Sequence, residues 1–92
     1  MKIKLLFQPD YGATSICDKE GAYYENYDEL PLSLELKKEL EIFDESIWEF
    51  ISGITAQRQR EIYENGLRLF NLVKLELGDD YEVIELLDWI KP

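Results

Sequence analysis

Carboxylates are the most abundant chemically competent groups in this chain, with twenty Asp and Glu against ten Lys and Arg, no histidine and a single cysteine, Cys17. Asp and Glu alone can run general acid–base catalysis or hold a hard cation, so their groupings are tested first. The nearest are Asp44 with Glu45, Asp79 with Asp80, and Glu25 with Asp28 and Glu29. None has the spacing of a calcium loop, and none sits in a glycine run that would wrap a cation or a phosphate. Without histidine there is no Cys/His zinc site and no His-dependent triad, and one cysteine makes no internal disulfide. Cys17 lacks a suitable base and reads as a buried or half-buried structural thiol. The acids read as solvated surface, and no catalytic residue, metal or cofactor is expected.

Binding is the better-supported chemistry. Tyr23, Tyr24, Glu25, Tyr27, Asp28 and Glu29 interleave aromatic and acidic side chains in one short segment, and Tyr and Trp are favoured interface anchors. One or two of these tyrosines would also staple the segment to the core. Asp44, Glu45, Trp48 and Glu49 form a second acidic-aromatic patch, with Trp48 a helical step from an apolar stripe. These ten residues are the expected partner-binding set. Arg58, Arg60 and Arg68 are the only arginines and are expected to pair with Glu61, Glu64 or the acidic face of a neighbouring helix.

Those side chains need elements to position them. Ile3, Leu5 and Phe7 alternate with Lys4 and Leu6, which predicts a strand over residues 2–7. A Pro9-Asp10-Tyr11-Gly12 turn leads to a short strand over 13–17, and Asp18-Lys19-Glu20-Gly21 predicts a hairpin into Ala22-Tyr23-Tyr24. After a loop ending at Pro31, Ser33 caps a helix over 34–50 whose Leu36, Leu40, Phe43 and Ile47 recur at helical spacing. Ser52-Gly53-Ile54 breaks the pattern. Thr55 then caps a second helix with Ile62, Gly66, Leu69, Phe70, Val73 and Leu77 in a stripe, Gly66 marking close helix packing. Gly78, in left-handed geometry, is expected to close it, followed by a strand over 81–87 and a tail that packs on the sheet. The order predicts an α+β fold: a small two-layer sandwich, its three- to four-stranded sheet covered by two amphipathic helices, with the terminal strands able to pair in parallel.

Ninety-two residues suffice for a single domain, 1–92, and at 46% hydrophobic and 13% aromatic the chain is too apolar to stay disordered. A net charge of minus ten repels phosphate backbones and anionic membranes, so direct nucleic-acid binding and membrane association are disfavoured. The apolar run before Gln8-Pro9 is shorter than a leader-peptide core, which leaves the cytoplasm as the expected location.

A wider pattern joins the Lys2-Ile3-Lys4-Leu5 start, the loop end Leu30-Pro31-Leu32-Ser33, the helix Leu36-Lys37-Lys38-Glu39-Leu40, and Leu75-Glu76-Leu77-Gly78-Asp79-Asp80-Tyr81-Glu82-Val83. In these features the chain resembles a broad set of small acidic bacterial proteins, some encoded beside polymorphic toxins, that are similar to immunity proteins of contact-dependent growth inhibition systems. The resemblance implies a non-enzymatic antitoxin that binds a cognate toxin domain, commonly a nuclease with a basic cleft. An acidic DNA mimic acting on a host nucleic-acid enzyme, or a self-associating structural module, are the alternatives. The oligomeric state is open at this point.

Overall fold

The computed structural model describes residues 2–92; Met1, where the leader-peptide reading starts, lies outside them. Alternation carries the first strand, β1 (Ile3–Phe7), because Leu5 and Phe7 are fully buried while Ile3, at the open end of the ladder, is exposed. β1 is the middle of a three-stranded sheet. It pairs antiparallel with β2 (Ile16–Asp18), Leu6 opposite Cys17, and parallel with β3 (Tyr81–Glu85), Leu5 opposite Val83. Helices α1 (Leu34–Ser46) and α2 (Ala56–Leu77) cover the face bearing Leu5, Phe7, Ile16 and Val83, giving the α+β two-layer arrangement.

Several boundaries differ from expectation, each for a local reason. The second strand starts at Ile16, not at residue 13, because Thr14 and Ser15 are drawn into side-chain hydrogen bonds. The hairpin return over 22–24 is one isolated bridge, Cys17 to Tyr23, not a strand. Asp18 Oδ1 accepts the Glu20 and Ala22 N–H groups and closes the turn, but Asn26 then caps a 3₁₀ turn, Tyr27–Glu29, and ends the pairing. α1 stops at Ser46 because Ser46 Oγ donates to Phe43 O at 2.6 Å and the Ile47 N–H is shared between Asp44 O and Glu45 O, tightening Ile47–Phe50 into 3₁₀ geometry. β3 ends at Glu85, and Asp88–Ile90 form a further 3₁₀ turn. Gly78 has φ +72 but ψ −159, so the positive φ needs glycine while the left-handed helical region is not used.

The helix starts follow the predicted caps. Ser33 Oγ accepts the Leu36 N–H at 3.2 Å and Thr55 Oγ1 accepts the Arg58 N–H at 3.1 Å. Glu76 of α2 adds a cap from outside, accepting the Ser33 N–H at 2.6 Å and its hydroxyl at 2.8 Å. The stripes are buried as predicted, Leu36, Leu40, Phe43 and Ile47 in the first and Ile62, Gly66, Leu69, Val73 and Leu77 in the second, with Phe70 only half-buried. Arg68 crosses from α2 to Glu39 at 2.7 Å, and Arg58 grips Glu49 with two bonds of 2.8 and 2.9 Å while also reaching Glu61.

The two helices approach closely at Gly66. A Cβ there would lie 3.1 Å from two carbons of the Phe43 ring, which is fully buried and stacked on Phe7 at 6.1 Å between centroids. Alanine would gain about 1 kcal/mol of helix propensity. Forcing the ring aside costs 1–3 kcal/mol, so Gly66→Ala is expected to destabilise by about 1 kcal/mol net. A urea midpoint equal to or above wild type would show that Phe43 has room to give.

Candidate protein-binding site

Part of the expected set converges on one cleft of about 520 Å³. One wall is the β1–β2 loop, Gly12 to Thr14; the other is Tyr23, Tyr24, Glu25, Asn26 and Tyr27; Glu41 and Asp44 of α1 complete it. Three tyrosines therefore meet two α1 carboxylates, and through Asp44 the sequence's two acidic-aromatic patches merge at this point. Thr14 ties the walls together by donating to Tyr24 O at 2.8 Å.

Asp44 is held rather than presented. Ser15 Oγ donates to its Oδ1 and the Tyr27 hydroxyl donates to its Oδ2 at 2.6 Å, while the same hydroxyl accepts the buried Ser15 N–H at 2.7 Å. Burial raises the Asp44 carboxyl from its ordinary 3.8 to about 6; the bonds from Ser15 and Tyr27 pull it back and the Glu41 charge adds to the rise. Burial and the adjoining Asp44 charge also push the Tyr27 phenol well up, so it stays a neutral donor. Tyr27 is 3% exposed and has almost no surface to give a partner. It is the staple of the loop, and Tyr27 and Asp44 shape the cleft from inside.

At the rim, Tyr23 and Tyr24 are half-buried and Glu25 is exposed. Tyr23 is pushed up to about 12 by burial and by its neighbours Cys17 and Asp10. Burial likewise raises Tyr24 and the Cys17 thiol, which keeps Cys17 a poor nucleophile. The remaining expected residues lie elsewhere. Asp28 pairs with Lys37 at 3.2 Å near the start of α1, and Glu29 sits in the same 3₁₀ turn. Glu45 is exposed on α1 outside the cleft lining. Glu49 is taken up by Arg58, whose hydrogen bonds hold its carboxyl below the usual range.

Trp48 is 49% exposed and belongs to a second feature that sequence reasoning largely missed. Tyr11 lies against both Trp48 and Trp89, each at 5.5 Å between centroids, and Phe50 against Trp89 at 5.6 Å. The signals were an aromatic residue inside a Pro-Asp-Tyr-Gly turn and a tryptophan in the tail. Gly12 joins the two features, since it lines the cleft and also lies under Trp48, to which an added Cβ would come within 3.5 Å.

Among the described residues no group of three or more His, Cys, Asp or Glu is placed to hold a metal ion, and no helix is long and apolar enough to cross a membrane. A scan of protein-family models finds no match, and a search of curated proteins finds no similar sequence, so the immunity-protein resemblance rests on its motifs alone.

Proposed function

We propose that this chain is a non-catalytic, cytoplasmic inhibitor that binds a basic protein, in the manner of an immunity protein occluding the phosphate-binding cleft of a nuclease toxin domain. The observation carrying this reading is the Tyr23/Tyr24/Glu25/Glu41 rim, half aromatic and half carboxylate, on a chain of net charge minus ten. Aromatic anchors supply desolvated contact area, and carboxylates match the Lys and Arg with which a nuclease holds phosphates. The concave, aromatic-walled shape suits a protruding basic segment better than phosphate mimicry does, which calls for an unbroken row of charges.

The test is stopped-flow association with a basic nuclease domain encoded immediately upstream, together with protection of cells expressing that domain. Screening shortens the Debye length from about 10 Å at 0.1 M salt to about 3 Å at 1 M. The association rate is expected to fall steeply over that range while the dissociation rate changes much less. A salt-independent association rate, or binding without protection, would count against the reading.

A further inference from the structure

Tyr11, Trp48 and Trp89 come from three separate segments: the β1–β2 loop, the 3₁₀ turn after α1, and the C-terminal 3₁₀ turn. They are 37%, 49% and 41% exposed, yet they are not scattered, since Tyr11 lies against both indoles. The cluster is also held in place. Trp89 Nε1–H donates to Pro9 O at 2.9 Å, and Gly12, at φ +72, brings the loop close over the Trp48 ring. Asp10 Oδ1 accepts the Tyr11 N–H at 2.7 Å, which fixes that carboxylate beside the rings. A shallow cavity of about 360 Å³ opens there, lined by Gln8, Pro9, Asp10, Tyr11 and Trp89.

We propose that this cavity is an anchor pocket for an arginine side chain of a basic protein partner, stacked on Tyr11 and the Trp89 indole with Asp10 as its counter-charge. The proposal rests on the basic-partner reading above and names the contact. Aromatic faces beside a carboxylate attract a cation, and a planar guanidinium can stack where an ammonium cannot. An apolar occupant would strip water from Asp10 and leave the carboxylate unpaired. A second copy of the chain would bring another charge of minus ten to the same face. The nearby Arg58 does not supply the cation, since Glu49 and Glu61 already hold it. Because the ring positions are set beforehand, little ordering cost remains for binding.

Trp48 and Trp89 are the only tryptophans, and since Trp89 lines the pocket and Trp48 lies against Tyr11, indole emission reports on this cluster. Titrating the intact protein with hexa-arginine and with hexa-lysine at low salt is expected to give a saturable emission change with the arginine peptide, bound about fivefold more tightly than its lysine counterpart. Tyr11→Ala, an exposed substitution that keeps both reporters, is expected to erase that preference. Lysine substitutions at Glu25 and Glu41 should weaken both peptides while leaving the preference intact. Equal binding of both peptides with unchanged emission would overturn the pocket while sparing a charge-driven reading. A mass doubling in sedimentation that Tyr11→Ala abolishes would overturn it in favour of a second copy. Binding of neither peptide would sink the pocket and the basic-partner reading together.

Discussion

Replacing Asp44 by asparagine is expected to make the protein more stable at pH 8 and to leave it nearly unchanged at pH 4. Burial places the folded carboxyl at about 6 against an ordinary 3.8, so between those values the folded state holds a proton that the unfolded state has released. This group's contribution to stability is therefore greatest at low pH and declines as pH rises through about 6. A shift of that size corresponds to roughly 3 kcal/mol. Asparagine removes the charge but obliges either Ser15 or Tyr27 to turn its hydroxyl from donor to acceptor, so a gain on the order of 2 kcal/mol is expected. The comparison is the urea midpoint of variant against wild type across pH 4 to 8, which cancels the opposite trend from carboxylates such as Glu49, whose acid form is disfavoured by Arg58. A variant that lost stability as pH rose would show that the bonds from Ser15 and Tyr27 outweigh desolvation.

Reversing two rim charges, Glu25→Lys together with Glu41→Lys, is expected to slow association with the basic partner by about 100-fold at low ionic strength. Each reversal is worth two charges, so the net charge moves from minus ten to minus six, and the change is concentrated at the mouth of the cleft. Both side chains are exposed, so circular dichroism and the thermal midpoint should stay close to wild type. Lysine at Asp44 would be a poorer probe, because it would place an ammonium among Ser15, Tyr27 and the packed loop. Unchanged kinetics in the double variant, with the fold intact, would move the interface away from the cleft.

How legible these features were in the sequence depended on the range of the interaction involved. The apolar stripes of both helices and the Ser33 and Thr55 caps are set by residues within a few turns, and periodicity and cap residues exposed them, while Gly66 was legible as a helix-interior glycine whose propensity cost calls for close packing. The end of α1 was not legible, because a serine can bond back to the carbonyl three residues earlier within a continuing helix, so Ser46 by its type does not mark a stop. Asp44 was not legible either, nor was which of the loop tyrosines, Tyr27, turns inward as the expected staple. Their spacing marked them as surface candidates, but a buried Ser15 N–H, far away in sequence, needs the Tyr27 oxygen and draws both inward. Trp89 was harder still, since its partners Pro9 and Tyr11 belong to the opposite end of the chain.

The order β2–β1–β3 also governs how the protein comes off the ribosome. The middle strand is synthesised before the other elements, and its parallel neighbour, in which Tyr81 sits beside Ile3, follows both helices. During translation β1 can pair only with β2, and its far edge stays open through the making of α1 and α2. Closing so long an excursion is entropically demanding and slows folding relative to locally paired sheets. The nascent chain thus carries a half-finished sheet until β3 has emerged, a period in which the like charge of its copies disfavours edge-to-edge pairing.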